Sequence, residues 1–338
     1  MMNAEPLRIS LMNAVEDELH RAVGRSAEAG LGEFDAMLAY HLGWEGDGAG
    51  PDARGKRIRP LLVVLACAAA GGDWEKALPA AAAVELVHNF SLIHDDIQDN
   101  SPLRRGRTTV WKHWGIPQAI NAGDAMLTLA HLELLRLGKA LPPETTLQAA
   151  QILQHACLQL TKGQYLDMAY EDLTDLSLDL YWQMVNGKTA ALLGACTELG
   201  ALIARVPLAC QSDYRDFGKY LGLAFQAQDD ILGIWGDAAV TGKSAESDLL
   251  EGKKSLPILY GLDRVDAFAR RWTEGPVRPD EVPALVSQLE AGGARAFTEQ
   301  SAREMTGQAL QALDRAQPAG EAGRELAALA DSLLKRQG

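Results

Sequence analysis

Two short clusters of aspartate are the residues of this chain best suited to chemistry. The first is Asp95, Asp96 and Asp99 in SLIHDDIQD, and the second is Asp229 and Asp230 in FQAQDDILGIWGD. Carboxylate oxygens are preferred ligands of Mg²⁺, which proteins often bind together with substrate phosphates. The two clusters therefore predict two walls of one metal and diphosphate site.

Both clusters are expected at the C-terminal ends of helices. An apolar, alanine-rich segment from Trp74 leads into the first cluster, and the sequence NSP after Asp99 should end that helix. Acidic residues there cost roughly a few tenths of a kcal/mol each unless a cation compensates, because that helix end carries partial negative charge. The second cluster shares its helical spacing with Gln226 and precedes Gly233. A solvated acidic helix end is the alternative for either cluster alone.

Basic segments are interleaved with the acidic clusters. The segment GKRIRP, residues 55–60, directly precedes a helix predicted to start near Pro60. Basic side chains there oppose the helix dipole unless an anion lies between them and the free amide groups. The segment LRRGR, residues 103–107, offers three guanidinium groups that suit bidentate contacts with phosphate. A solvated basic loop is the alternative for either segment alone.

The composition favours an all-helical enzyme. The chain has 338 residues, of which 47% are hydrophobic and only 6% aromatic, so helices packed through Leu, Ala and Val are expected. Apolar residues recur at helical spacing, and alternating runs typical of strands are few. Long helices are predicted near residues 58–70, 74–99, 118–138, 145–171, 178–203 and 213–235. No break demands a second domain, so a single domain over residues 1–338 is predicted.

Charge, cysteine content and hydropathy restrict partners and location. The net charge of -13 argues against nucleic acid as a partner, because duplex binding draws most of its affinity from neutralised phosphates. The four cysteines lack the paired spacing of a metal site and are too few for a disulfide framework. No segment has the length and apolarity of a signal peptide or a transmembrane helix. We expect a soluble cytoplasmic protein.

One segment imitates a nucleotide-binding loop. Residues 236–244, GDAAVTGKS, end in Gly-Lys-Ser, but five residues separate the glycines where a P-loop has four. A helix, not a strand, is predicted before it. We therefore reject a P-loop, although Lys243 can still bring an ammonium group to a phosphate.

The motifs resemble, in order, those of the trans-polyprenyl diphosphate synthases from about Gly55 to Pro257. They are GKRIRP, HNFSLIHDDIQD, LRRGRTTVW, AINAGDAMLTLA, KGQYLD, GKTA, FQAQDDILGIWGD and GKSAESDLLEGKKSLP. The resemblance implies an isoprenoid synthase fold, an all-α helical bundle around a central cavity. It also implies a homodimer that condenses isopentenyl diphosphate with an allylic diphosphate, with the released diphosphate as the base for proton loss.

The resemblance further implies a role for each matching residue. Three Mg²⁺ ions would be held on the allylic diphosphate by Asp95, Asp96, Asp99, Asp229 and Asp230, which with Lys188 form the catalytic set. The residues expected around that diphosphate are Arg104, Lys188, Thr189, Gln226, Lys243 and Lys253. Those expected around the diphosphate of isopentenyl diphosphate are Lys56, Arg59, His88 and Arg105. Helical geometry supports His88 independently, because it lies seven residues before Asp95 and returns to nearly the same face.

Product length is predicted from residues just before the first aspartate cluster. Ser91 is small and shares a helical face with Asp95, which leaves space below the metals. An aromatic residue at Phe90 followed by a small one resembles enzymes that stop at geranylgeranyl diphosphate, the C20 product. Val87 or a residue of a neighbouring helix could instead form the floor of the cavity that holds the growing prenyl chain. Farnesyl diphosphate (C15) and products of C25 or longer are therefore alternative products.

Two residues depart from the motifs of the family. Gly233 stands where many family members have a third aspartate, and Glu246 replaces a usual glycine.

A class I terpene cyclase would share the fold and the aspartates, but it binds one diphosphate and would not need GKRIRP and the second arginine, Arg105. A non-catalytic regulatory subunit typically loses an aspartate pair, whereas this chain keeps both.

Overall fold

The computed structural model describes residues 7–171, 173, 175–236 and 247–334. Nearly all regular structure in these ranges is helical, which confirms the all-α prediction. One antiparallel hairpin of two-residue strands, β1 Leu103–Arg104 and β2 Arg107–Thr108, interrupts the helices. No helix within the described ranges is long and apolar enough to cross a membrane.

The helices vary widely in length. Those up to the second aspartate cluster are α1 Leu7–Gly24, α2 Gly32–His41, α3 Pro51–Arg54, α4 Ile58–Ala69, α5 Leu78–Gln98, α6 Val110–Trp114, α7 Ile116–Leu135, α8 Pro143–Glu171, α9 Leu178–Val185, α10 Ala191–Ile203 and α11 Leu208–Trp235. The later ones are α12 Ser247–Glu251, α13 Leu256–Arg264, α14 Asp266–Thr273, α15 Val282–Ala291, α16 Ala294–Ala316 and α17 Gly320–Leu334. Short 3₁₀ turns span Trp74–Ala77 and Arg136–Lys139, and a π-helical turn spans Asn186–Ala190.

The described residues form two compact units. The first comprises residues 7–154, 196–211 and 318–325, and the second comprises the remainder. The first aspartate cluster and GKRIRP lie in the first unit, and the second aspartate cluster lies in the second. A single domain over residues 1–338 stays a prediction.

Helices α4 and α5 supply much of the core of the first unit. Every residue of Leu61–Cys67 is fully buried, and so is every residue of Ala80–Ala83. Each buried aliphatic side chain of the size of leucine contributes roughly 1.5–3 kcal/mol. This packing gives a rigid support to the residues that follow on α5.

The second unit has its own apolar core. One cluster of buried side chains includes Tyr181 and Val185 of α9, Ala227 of α11 and Leu256 of α13. These helices also carry the second aspartate cluster and its hydrogen-bond partners. The packing of α9, α11 and α13 therefore determines which polar groups surround those aspartates.

The end of α5 agrees with the prediction from NSP. Asn100 has a φ of 51°, in the left-handed region, and the N–H of Ser101 donates to the carbonyl of Asp96 over 2.9 Å. This geometry satisfies one of the last carbonyls of the helix in the way of a Schellman end. It holds Asp95 and Asp96 in the final turn.

Some predicted helices agree with the structure and others are divided. Helix α4, predicted near residues 58–70, spans Ile58–Ala69, and Pro60 lies in its first turn, where the N–H that proline lacks would have had no partner in the helix. Outside the predicted long helices, the structure also contains the short helix α3 and the β-hairpin. The predicted helix over residues 178–203 is divided by the π-helical turn. These elements are short, and apolar periodicity does not reveal them.

Candidate active site

Arg104 neutralises the first aspartate cluster in this structure. Its Nε donates to Oδ1 of Asp96 over 2.7 Å, and its Nη2 donates to Oδ2 of Asp95 over 3.2 Å. Asp96 is buried, Asp95 is half-buried and Asp99 is exposed. The hairpin that follows α5 thus brings Arg104 back onto the aspartates.

Asp96 has one carboxylate oxygen available for a further ligand. Burial raises the pKa of this carboxyl to about 6, although the guanidinium of Arg104 opposes the shift. Its Oδ2 is buried and has no hydrogen-bond partner among the described residues. Buried polar atoms are rarely left unpaired, so this oxygen suits a cation.

A basic cluster lies beside the carboxylates in the first unit. Nη1 of Arg59 is 3.2 Å from Nε2 of His88, and Nη1 of Arg105 donates to the carbonyl of Ala53 over 2.9 Å. Burial lowers the pKa of His88, and the positive charges of Arg59 and Arg105 lower it further. A neutral histidine among guanidinium groups fits an anion site. Lys56 is exposed.

Gly55 allows Arg105 to reach this cluster. Its φ is +74°, and a Cβ at this position would lie 2.6 Å from Cζ of Arg105. Any other residue would be strained and would push the guanidinium away. The glycine of GKRIRP therefore has a positional role.

The side chain of Arg57 in GKRIRP is buried and bonded to groups inside the protein. Its side chain is 2% exposed and donates to Glu85 over 2.7 Å, to Glu16 over 3.2 Å and to the carbonyl of Leu42 over 3.0 Å. Because these donors are used inside the protein, Arg57 is not placed to bind a substrate. The sequence analysis likewise assigned Lys56 and Arg59, and not Arg57, to the diphosphate pocket.

Arg107 also differs from the prediction that it grips phosphate. Its guanidinium lies over the ring of Tyr40, 3.9 Å from the centroid, and its three nitrogens donate to the carbonyls of Tyr40, Glu45 and Asp47. These bonds fix the loop after α2. Arg107 is thus a support for the loop.

The second aspartate pair is divided between two environments. Asp229 is exposed, whereas Asp230 is 1% exposed. Oδ2 of Asp230 accepts from the hydroxyl of Tyr181 over 2.5 Å and from the N–H of Leu256 over 2.7 Å, and Oδ1 accepts from Gln226 over 2.9 Å. Burial raises the pKa of Asp230 to about 6, Lys253 opposes this, and Asp248 adds to it. Asp229 is therefore the member of the pair that is open to a cation.

The π-helical turn positions Lys188 and Thr189. Nζ of Lys188 donates to Oδ2 of Asp167 over 2.5 Å, and the Thr189 hydroxyl donates to Gln226 over 3.0 Å. A Cβ on Gly163 of α8 would lie 2.6 Å from Cα of Lys188, so the glycine lets the two backbones approach. π-helical turns inside helices are frequent at functional sites. The sequence assigned no role to Asp167, which KGQYLD contains.

The two lysines of GKKSLP have different partners. Nζ of Lys253 lies 3.8 Å from Oδ1 of Asp248. Nζ of Lys254 donates to the carbonyls of Tyr170 and Glu171 over 2.7 and 2.6 Å, at the C-terminal end of α8. A cation there stabilises the helix end. Lys243, also predicted near the diphosphate, lies outside the described residues.

His41 is a further residue that the sequence did not single out. It lines a polar cavity of about 20 Å³ together with Asp96, Arg104 and Arg105. Its Nε2 is buried and has no hydrogen-bond partner in the part of the chain that the structure describes. Burial lowers the pKa of His41, and Arg104 and Arg105 add to this effect. No motif reveals it.

Comparison with known proteins identifies the family. The model of the polyprenyl synthetase family matches residues 50–287. The chain belongs to the polyprenyl synthetase family. It is 40% identical over 316 residues to a (2E,6E)-farnesyl diphosphate synthase of Mycobacterium tuberculosis, covering 89% of this chain and 86% of that protein.

Two further relatives support the assignment. A geranylgeranyl diphosphate synthase of the same organism is 44% identical over 250 residues, covering 72% of this chain and 69% of that protein. The crystal structure of a polyprenyl synthetase from Streptomyces coelicolor A3(2) is similar with a TM-score of 0.86 at 36% identity, covering 96% of this chain and 98% of the other. This polyprenyl synthetase is therefore a short-chain trans-prenyltransferase with the isoprenoid synthase fold.

The residues of this polyprenyl synthetase fit Mg²⁺. Within the described ranges, no group of three His, Cys, Asp or Glu side chains could hold a metal ion by itself. Mg²⁺ is often bound through one or two carboxylates together with substrate phosphates. The unpaired oxygen of Asp96 in the first unit and the exposed carboxylate of Asp229 in the second are each suited to such binding.

Proposed function

We propose that the protein condenses isopentenyl diphosphate with an allylic diphosphate to give all-trans geranylgeranyl diphosphate. The observation that carries this proposal lies on α5. That helix holds the carboxylates of Asp95 and Asp96 at its end and, two turns earlier, His88 in contact with Arg59. A carboxylate cluster suits a metal-bound diphosphate, and a basic cluster suits a diphosphate without metal. An enzyme with two diphosphate substrates needs both.

The allylic diphosphate is assigned to the aspartates and their neighbours. Asp95, Asp96, Asp99, Asp229 and Asp230 would hold Mg²⁺, which would supply positive charge to the leaving diphosphate. Lys188, Thr189, Gln226, Lys243, Lys253 and Arg104 are assigned to the same group. Arg104 would exchange Asp95 for a phosphate oxygen, because its donors already lie at the mouth of the cluster.

Isopentenyl diphosphate is assigned to Lys56, Arg59, His88 and Arg105. Bidentate guanidinium contacts would orient the diphosphate, and neutral His88 can donate one N–H to it. The alkene then attacks the allylic carbocation, and the released diphosphate takes the proton. No side-chain base is required.

The C20 product is assigned from Phe90. Its ring is 9% exposed and lies edge-on to His94, with the ring centroids 5.5 Å apart. His94 in turn contacts Gly123 of α7, so the aromatic pair is held between two helices. The small Ser91 leaves space below the metals, and the buried Val87 or a residue of a neighbouring helix is the alternative floor. Farnesyl diphosphate is the second candidate, because a 40% identical relative is named as its synthase.

A homodimer in the cytoplasm completes the proposal, on the strength of the family resemblance. The terpene cyclase alternative is disfavoured because a cyclase binds one diphosphate and would not need the second, basic cluster around Arg59 and His88. The regulatory-subunit alternative is disfavoured because both aspartate pairs are present.

The decisive experiment is a product assay. The purified protein is incubated with Mg²⁺, labelled isopentenyl diphosphate and dimethylallyl, geranyl or farnesyl diphosphate, and the dephosphorylated alcohols are sized. A dominant C20 alcohol is expected. A dominant alcohol shorter or longer than C20 would mean that a residue other than Phe90 limits chain length. No incorporation from any starter would favour a cyclase or a regulatory subunit.

A further inference from the structure

The space beside Gly233 is filled by a carboxylate from another helix. A Cβ built on Gly233 of α11 would lie 2.5 Å from Oδ2 and 2.7 Å from Oδ1 of Asp248. Gly233 lies one helical turn after Asp229, on the same face of α11. The Asp248 carboxylate therefore occupies the position in which a side chain at residue 233 would begin.

Asp248 is buried with an unpaired oxygen. It is 4% exposed, and its Oδ2 has no hydrogen-bond partner in the described part of the chain. Its other oxygen lies 3.8 Å from Nζ of Lys253, which is beyond hydrogen-bond distance. The ammonium of Lys253 is thus an ion-pair partner of Asp248, but it leaves the buried Oδ2 without a hydrogen bond, and a bound cation would satisfy that oxygen.

The backbone keeps Asp248 in this place. The N–H of Lys253 donates to the carbonyl of Asp248 over 2.9 Å, which closes the turn after α12. Its charge contributes to the raised pKa of Asp230, so the carboxylate belongs to the same charge cluster as the second aspartate pair. Asp230 itself uses both oxygens on protein donors.

We propose that Asp248 replaces the carboxylate missing at position 233 and, with Asp229, supplies the protein oxygens of one Mg²⁺ ion in the second unit. The proposal rests on the proposed function, because the ion would be one of those bound with the allylic diphosphate. Glycine at residue 233 is then required, since any side chain would displace the Asp248 carboxylate.

The first test measures metal binding without turnover. Thermal unfolding of Asp248→Asn is followed during a Mg²⁺ titration in the presence of inorganic diphosphate. We expect the Mg²⁺ concentration for half-maximal stabilisation to rise about tenfold or more, the usual cost of losing a group that supports a metal site. The matched control is Glu251→Gln, an exposed carboxylate on the same helix, which should change it less than about twofold.

The second test moves the carboxylate back to α11. The double variant Gly233→Asp/Asp248→Gly should recover at least half of the lost Mg²⁺ affinity on the logarithmic scale. Gly233→Asp alone should lower the melting temperature without metal, because two carboxylates would compete for one space. Circular dichroism and melting without Mg²⁺ verify that each variant is folded. If Asp248→Asn does not fold, the double variant still decides, because a folded double variant without Mg²⁺ stabilisation overturns the proposal.

The outcomes separate this inference from the proposed function. Wild-type Mg²⁺ dependence in Asp248→Asn, or no Mg²⁺ stabilisation of the wild type, would overturn the role of Asp248 even if the enzyme forms a prenyl product. Mg²⁺ binding could instead weaken in Asp248→Asn while the wild type incorporates no isopentenyl diphosphate. That result would support the role of Asp248 and contradict the proposed function.

Discussion

The guanidinium of Arg57 donates to the carboxylate of Glu85 over 2.7 Å in the interior of the first unit, where the two side chains are 2% and 3% exposed. Arg57 lies two residues before Arg59, and Glu85 lies three residues before His88. The ion pair thus joins the two segments that carry the assigned isopentenyl diphosphate site. It links the packing of α4 and α5 to the geometry of binding.

Breaking this pair should affect one substrate more than the other. Glu85→Gln removes the closer of two carboxylates that compensate the buried charge of Arg57 and leaves the one of Glu16 at 3.2 Å, so the free energy of unfolding should fall by about 1–3 kcal/mol. We expect the KM for isopentenyl diphosphate to rise about tenfold and the KM for the allylic substrate to change less than about twofold. Chemical denaturation and steady-state kinetics measure both. Equal increases in the two KM values would contradict a positioning role.

The two adjacent aspartates of α11 should behave differently when substituted. Asp229→Ala should reduce turnover by about a hundredfold or more at nearly unchanged stability, because Asp229 is exposed and assigned to Mg²⁺. Asp230→Ala should also lower the free energy of unfolding by about 1–3 kcal/mol, because two buried donors and one half-buried donor lose their acceptor. Denaturant unfolding of both variants separates these effects. Equal stability losses would refute the division.

Phe90→Ala should lengthen the product. Removing the ring opens space between α5 and α7, so chain growth should continue past C20 if Phe90 is the floor. Chromatography of the dephosphorylated alcohols measures the distribution. Val87→Ala is the matched control, because Val87 is fully buried on the same helix. A product shift in Val87→Ala alone would transfer the floor to that residue.

Gly163→Ala should disturb the π-helical turn. The added methyl would lie within 2.6 Å of the Cα of Lys188, and backbone cannot yield as a flexible side chain does. We expect a stability loss of about 1–3 kcal/mol and reduced turnover. Gly307→Ala is the control, because a Cβ there has no neighbour within 4 Å. That substitution should be neutral or should stabilise its helix by roughly 0.5–1 kcal/mol.

Glu133 should make stability depend on pH. Burial and the neighbouring Glu18 carboxyl raise its pKa from 4.5 to about 7, although Arg25 opposes this shift. The folded protein therefore binds this proton more tightly than the unfolded chain, and the resulting stabilisation is lost as pH rises through about 7. Between pH 5 and 8, wild type should lose about 1–3 kcal/mol relative to Glu133→Gln in urea unfolding. If the free energy of unfolding changed with pH in the same way in both proteins, the raised pKa of Glu133 would be contradicted.

Sequence patterns identified the family, the fold class and most of the long helices. Apolar periodicity identified α5 and α11, and helical spacing brought Asp95 and Asp99 to one face. These inferences depend on properties local to one helix, namely its period and its end signals. The sequence did not predict the short α3, the hairpin or the π-helical turn, because backbone elements of a few residues carry no period.

Only the tertiary structure decided which of several similar residues does which task. Asp229 and Asp230 are neighbours in sequence, yet one is exposed and the other accepts hydrogen bonds from α9, α11 and Leu256. Arg57 donates to the buried carboxylate of Glu85, whereas Arg59, two residues later, contacts His88. Asp248 fills the space at Gly233 from another helix. Burial and remote partners set these roles, and both arise from the packing of segments that are distant in the chain.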